Sequence, residues 1–230
     1  MKVHYLQHVV QEDVANLEKW AVERSYSISS TLIFAGQDPP QLKDFDFLIV
    51  LGGETDICEE KYPWFVKEKK FLRRAIDGGK IVLGICMGAQ HIAEVLGGRV
   101  RKNNYRKIGW FPLELTLEGT RSRIFGVLPK RFIAFHWHRD TFEMPLGAVR
   151  TARSDGCENE AFEIGKTVGL QFHLESSMCS LEYLMNESRE ELEDGRFIQE
   201  PEEILAQARN LQEINRLMEL FLDNMVKMLY

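Results

Sequence analysis

The sequence predicts an α/β protein, with an open, largely parallel central sheet flanked by helices and a small additional β-ribbon region. Up to about residue 100, short apolar runs alternate with amphipathic segments, the pattern of βα units around a parallel sheet. From 99 to 175 the runs read as β-ribbon and mixed sheet. After about 177 the spacing turns helical. The 230 residues suit one domain spanning 1–230 with a helical C-terminal segment over about 177–230. No internal repeat, low-complexity tract or linker interrupts it.

Taken in order, residues 2–9 read as a strand. Asp13 is placed to cap a helix with Val14, Leu17 and Ala21 on one face, and 27–34 returns as a strand. Residues 36–40 break the chain. A buried strand over 45–51 ends in Gly52-Gly53, and Pro63 opens a helix that stops at Gly78-Gly79, proline inside the start and glycine past the end. The next strand is 80–85. Shorter β-like runs follow at 109–117, 131–137, 146–152 and 160–174. Behind Pro201, residues Ile204, Ala208, Leu211, Ile214, Met218, Phe221, Met225 and Leu229 recur at helical spacing.

Composition narrows the classes of function. With 29 Lys and Arg against 35 Asp and Glu, the formal charge is −6, which argues against a surface built to bind nucleic acid or anionic lipid. The excess is local: residues 187–203 hold eight acidic and two basic side chains, and the segment reads as a solvated connection into the last helix. The N-terminus lacks the apolar core of about 7–15 residues that marks a secretory signal. No apolar stretch approaches the roughly 20 residues of a membrane span. Cys58, Cys86, Cys157 and Cys179 form no disulfide framework or zinc pattern, so reduced thiols in a cytoplasmic protein are expected.

The sharpest local signal is Gly84-Ile-Cys86-Met-Gly88 between a buried strand and a helix, the thiol counterpart of the G-x-S-x-G nucleophile elbow. The flanking glycines let strand and helix approach closely while the central side chain is presented on a strained turn. A thiolate there also faces the positive end of the helix dipole. The second signal is Gln171-Phe-His173-Leu-Glu175, where the i, i+2 spacing puts His173 and Glu175 on one side of an extended chain. A nucleophilic thiol needs a base and a group that fixes the base's tautomer, and this element carries both.

Together the two motifs resemble those of the class I glutamine amidotransferases, with a Gly-x-Cys-x-Gly-x-Gln elbow and a later Gln-Phe-His-x-Glu. Within that family the chain is most similar to the glutaminase domain of GMP synthase and its stand-alone relatives. The resemblance implies a flavodoxin-like fold and hydrolysis of glutamine to glutamate and ammonia without a cofactor. It implies Cys86 as nucleophile, His173 as base and Glu175 as its orienting carboxylate. The backbone N–H groups of Gly53 and Met87 would form the oxyanion hole, and Gly52, Gln90, Trp137 and His138 would contact substrate. Three departures stand out: Leu174 replaces the usual proline, Glu54 follows the glycine pair in place of proline, and Arg139 replaces a usual glycine.

The resemblance also implies a partner, a separate synthetase chain that takes the ammonia, since no Walker-type loop is present. Two other readings stay open: a stand-alone hydrolase of γ-glutamyl peptides or conjugates, and a weakly active regulatory or binding module. His136-x-His138-x-Asp140 has the spacing of some metal hydrolases. Of the remaining histidines, His4, His8 and His91 lie in the first strand or the elbow helix and offer no further ligand pattern, so no metal is expected. The basic run over 99–107 reads as a solvated loop, although the family resemblance also makes it a candidate docking face. Cys58, Cys157 and Cys179 read as spectators, and Trp20 and Trp64 as core packing.

Overall fold

The computed structural model describes residues 1–10, 14–53, 64–187, 191–192 and 195–229. Among these, nine strands form one sheet: β1 (Lys2–Gln7), β2 (Ser27–Leu32), β3 (Phe47–Val50), β4 (Ile81–Ile85), β5 (Val100–Leu115), β6 (Arg131–Phe142), β7 (Val149–Ser154), β8 (Cys157–Ile164) and β9 (Thr167–Leu170). Their order is β2-β1-β3-β4-β9-β8-β7-β5-β6. The first five in that order are parallel, and the other four join antiparallel. The last strand in the chain thus returns to the centre of the sheet, beside β4.

Alternation along the parallel strands fills two cores. Val3, Phe47, Ile49, Ile81 and Leu83 face one side, against Leu17 and Trp20 of α1 (Ala15–Glu23) and Phe221 of α7 (Asn210–Val226). Leu6, Leu48, Val50 and Val82 face the other, against Phe71 and Leu72 of α2 (Trp64–Asp77) and Ala89 and Ile92 of α3 (Met87–Val95). Each such buried side chain contributes about 1.5–3 kcal/mol. Trp20 is fully buried and donates its indole N–H to Asp223 at 2.9 Å; Trp64 packs partly buried against the second core. The short α4 (Leu117–Arg121), α5 (Met178–Glu187) and α6 (Pro201–Ala206) complete the helices.

Several elements differ from the sequence reading. The run over 27–34 stops at Leu32, because Ile33–Ala35 wind into a 3-10 turn closed by Gly36 at φ 74°. The run over 160–174 is two strands folded back at Gly165, whose φ of 58° suits a tight turn. The basic run is part of a strand, β5, and not a solvated loop: Tyr105 packs on Phe197 at 5.1 Å, and Lys107 is wholly buried against Glu160. The helical stretch behind Pro201 breaks after Ala206, and α7 begins at Asn210. Val14 occupies the N-cap of α1 without a side-chain cap bond. The expected caps at Asp13 and Pro63 lie outside the described residues.

The acidic segment is also more than a connection. Ile108 N–H donates to Phe197 O at 2.8 Å and Gln199 N–H to Ile108 O at 3.0 Å, so the chain after Gly195 lies along β5 as a strap. Glu200 and Glu203 then form a reciprocal capping box at the start of α6. Residues 188–190 and 193–194 lie outside the described residues. No described helix is long and apolar enough to cross a membrane.

Candidate active site

The register of the central strands assembles the site. β4 and β9 pair Ile85 with Leu170, and the next residue extends the ladder, with Cys86 N–H donating to Leu170 O at 2.7 Å. Residues just past either strand therefore meet at the same edge of the sheet. Cys86 is the N-cap of α3, with φ 52° and ψ −111°, one of two non-glycine residues at positive φ among those described. Such a conformation costs about 1–3 kcal/mol and persists only where packing dictates it.

The flanking glycines dictate it. A Cβ at Gly84 would stand 2.5 Å from Gly88 O. One at Gly88 would stand 2.7 Å from the carbonyl carbon of Val50 and nearer still to its oxygen. Helix α3 thus lies directly on β3 and β4, and the turn between β4 and α3 has to fold sharply at Cys86.

His173 approaches from the other side. Its N–H donates to Phe135 O at 2.9 Å, a single bridge that ties the chain after β9 to β6. Its Nδ1 donates to Glu175 Oε1 at 2.6 Å. The second carboxylate oxygen of Glu175 accepts the Leu174 N–H at 3.0 Å, a bond that the family's usual proline cannot make. Asn215 of α7 clamps the same segment, its side-chain amide donating to Leu174 O and Ser176 O at 3.0 Å each. The burial of His173 opposes its imidazolium. The Glu175 carboxylate and hydrogen-bond contact with Cys86 outweigh that, so His173 titrates well above the ordinary histidine range.

The other predicted positions lie on the elements next to this pair or just beyond their ends. Cys86 Sγ lies 3.7 Å from the Trp137 carbonyl and 3.8 Å from Gln171 Nε2. Met87 is the first residue of α3, where helical N–H groups have no intrahelical partner. Gly52 is buried and Gly53 is partly exposed beyond the end of β3. The Gln90 amide donates to Asp140 O and to Gln171 Oε1, both at 3.1 Å, tying the elbow helix to β6 and to the segment after β9. His138 is buried and donates from Nδ1 to Asp140 O at 3.1 Å. Glu54 and Cys58 lie outside the described residues.

The H-x-H-x-D spacing does not gather its own three residues. His136 and His138 instead converge with Glu160 of β8, their ligand atoms within 4.8 Å of one another and all three side chains buried. Lys107 Nζ stands 2.8 Å from Glu160 Oε1 and supplies the countercharge. Burial holds His138 down at about 4 and His136 well below the ordinary value, so both imidazoles are neutral. Cys157 is buried, and burial pushes its thiol up to about 12; Cys179 is exposed.

Three contributors went unread in the sequence. Asn215 carries no signal there, since a lone Asn in an amphipathic helix is ordinary. Glu68 does carry one: it shares the apolar face of α2 with Phe65 and Leu72, at i−3 and i+4. His8 read only as a first-strand residue, yet it lies just past β1 and contacts both Gly52 and Glu68.

Comparisons with known proteins identify the family. The family model for glutamine amidotransferase class-I matches residues 9–188. The glutamine amidotransferase-like protein YfeJ of Salmonella typhimurium is 33% identical, covering 98% of this chain and 97% of its own. The glutamine-hydrolysing GMP synthase of Vibrio parahaemolyticus is 33% identical over 56% of this chain, which corresponds to 24% of that enzyme. Among solved structures, a glutamine amidotransferase of Thermotoga maritima superposes with TM-score 0.88 at 30% identity, covering 98% of each chain. A glutamine amidotransferase of Methylobacillus flagellatus, 23% identical over 99% of this chain and 94% of its own, shares the fold with TM-score 0.90. The chain belongs to the class I glutamine amidotransferases, enzymes that hydrolyse the side-chain amide of glutamine and transfer its nitrogen.

Proposed function

We propose that this protein hydrolyses the side-chain amide of glutamine through a Cys86 γ-glutamyl thioester and passes the ammonia to a separate synthetase chain. The observation that carries this reading is the chain of contacts from Cys86 to His173 to Glu175, closed by the 2.6 Å bond from His173 Nδ1 to Glu175 Oε1. His173 holds the proton drawn from the Cys86 thiol while Sγ attacks the amide carbon, and delivers it to the departing ammonia. Water deprotonated by His173 then cleaves the thioester, releasing glutamate and restoring the thiol. Glu175 holds the tautomer that leaves Nε2 to face the sulfur.

The negative oxygen of each tetrahedral intermediate falls to the N–H groups of Met87 and Gly53. Removing one such donor costs about 2.7–4 kcal/mol in comparable enzymes. The position of Met87 at the head of α3, where N–H groups have no intrahelical partner, supports its role. Gly52, Trp137 and His138 hold the amino-acid end of the substrate in this reading, with the Trp137 carbonyl 3.7 Å from the sulfur, and Gln90 ties β6 to the elbow helix. One continuous sheet supports reading residues 1–230 as a single domain.

Ammonia release from glutamine and from γ-glutamyl dipeptides, compared with Cys86→Ala, tests this. Turnover of glutamine that vanishes in the variant, with labelling of Cys86 by a chloroketone analogue of glutamine, is expected. Faster release from γ-glutamyl dipeptides than from glutamine would replace the substrate; equal rates for wild type and Cys86→Ala would sink the mechanism.

A further inference from the structure

Beneath the glycine loop lies a buried trio that the mechanism above does not use. His8 Nδ1 is 2.9 Å from Gly52 O, and a carbonyl can only accept, so Nδ1 carries a proton. His8 Nε2 is 3.0 and 3.1 Å from the two oxygens of Glu68. Burial alone would push the Glu68 carboxyl up, but the His8 charge and hydrogen bond, with a smaller contribution from His91, hold it at about 2. Glu68 thus braces Nε2 through a shared hydrogen while Nδ1 donates to Gly52 O, so both ring nitrogens of His8 are engaged. His91 Nδ1 lies 3.2 Å from Glu68 Oε1, and its ring stacks on Phe65 at 4.1 Å. The His8, Glu68 and His91 side chains are fully enclosed.

The peptide that His8 holds also carries a proposed oxyanion donor. Gly52 C=O and Gly53 N–H belong to one peptide unit, no peptide among the described residues is cis, and in a trans unit the two bonds point in opposite directions. A donor that fixes the carbonyl on one side fixes the N–H on the other. Two adjacent glycines make this peptide free to turn over, since neither residue carries a Cβ to resist it. We propose that His8, braced by Glu68, is a positioning residue that locks the Gly52-Gly53 peptide with its N–H aimed at the oxyanion. This rests on the assignment of Gly53 as an oxyanion donor.

Two isosteres separate a donor at the right atom from mere filling of space. In His8→Asn the amide nitrogen falls near the position of Nδ1 and still donates to Gly52 O; in His8→Gln it falls near Nε2 and points to Glu68. With glutamine as substrate, His8→Asn should hold kcat within about tenfold of wild type, while His8→Gln should lose on the order of 10²-fold, the effect of one lost oxyanion donor. The KM of both, and the rate at which iodoacetamide alkylates Cys86, should stay near wild type, because alkylation forms no oxyanion. Equal kcat for the two variants overturns the proposal, as does a His8→Gln loss that iodoacetamide reactivity follows.

Crystal structures of the same two variants provide a test that needs no turnover. The Gly52-Gly53 peptide should keep its orientation in His8→Asn and be turned in His8→Gln. An unturned peptide in His8→Gln overturns the proposal, whether or not the wild type acts on glutamine. A turned peptide together with unchanged kcat would leave the His8 contact standing and refute the role of Gly53.

Discussion

The backbone of Gly88 rests so closely on the Val50 carbonyl that no side chain fits between them. The contact presses α3 onto β3 and puts the turn at Cys86, so a packing constraint two residues away fixes where the thiol stands. Gly88→Ala has to push the helix off the sheet, and overpacking of this kind costs about 1–3 kcal/mol or more. A fall in Tm of about 2–4 °C per kcal/mol is expected for a chain of this size. Thermal unfolding checks it, and alkylation of Cys86 should slow in parallel as the elbow relaxes. A variant as stable and as reactive as wild type would refute the constraint.

The His173 titration tests the charge on Glu175. In the folded protein the carboxylate outweighs the burial of the imidazole and raises it. Glu175→Gln removes the charge and keeps the shape, so the His173 midpoint should fall toward or below 6.5, with the proton-dependent limb of Cys86 alkylation moving the same way. NMR titration of His173 measures the direction directly. A midpoint that stays high would assign the shift to Cys86 alone.

The clamp from α7 gives a further prediction. Asn215→Ala frees the Leu174 and Ser176 carbonyls, and the loss of two partly buried hydrogen bonds costs about 1–3 kcal/mol. Because the clamped segment contains Glu175, kcat for glutamine should fall more than KM rises. Urea unfolding and steady-state kinetics on the same sample separate the two effects, and an unaltered kcat in a destabilised variant would confine Asn215 to stability.

What the sequence made legible follows from the range of the forces involved. The Gly84-x-Cys86-x-Gly88 elbow and the His173-x-Glu175 pair are local patterns: each needs residues a few positions apart, and their meeting needs only that β9 lie beside β4. The parallel half of the sheet was legible for the same reason, from apolar runs cut by Gly and Pro. The long strand β5 was hidden because five positive charges over 99–107 mimic a loop, while the burial of Lys107 depends on Glu160 more than fifty residues away. The Gly52 contact of His8 spans 44 residues and its Glu68 contact 60, and Asn215 reaches back 41 to Leu174. Such partners have no local signature except the mismatch of a charge on an apolar face, as at Glu68.

Stability should fall in two stages on acidification. Burial holds His4 and His138 at about 4, against 6.5 for an ordinary histidine. Between those values the unfolded chain binds the extra protons, so stability drops as pH falls through that window. Glu68 is held at about 2 against 4.5; its contribution is present above 4.5 and lost as pH falls toward 2. His173 acts in the opposite sense: its contribution is complete below 6.5 and lost as pH rises through its raised folded value. Unfolding free energies near neutrality and at about pH 5 and 3 read the two stages. Glu68→Gln should lower stability at neutrality and flatten the second stage; an equally steep second stage in that variant would place the acid sensitivity elsewhere.

The buried pair of Lys107 and Glu160 yields the last prediction, because its two halves are unequal to its whole. Lys107 Nζ is 2.8 Å from Glu160 Oε1 and also donates to Ser154 Oγ, with both charged side chains sealed from solvent. Lys107→Met leaves Glu160 without its countercharge in a low-dielectric pocket, and breaking such a pair costs about 3–5 kcal/mol. Lys107→Met combined with Glu160→Leu removes both charges, and replacement of a buried pair by apolar side chains is often neutral or stabilising by about 1–4 kcal/mol. The double variant should therefore recover most of the stability lost in Lys107→Met. Recovery also separates the pair from the chemistry: with Cys86, His173 and Glu175 untouched, the double variant should regain glutaminase activity together with its Tm. If Tm returns while activity does not, the neutral imidazoles of His136 and His138 depend on this cation for more than packing.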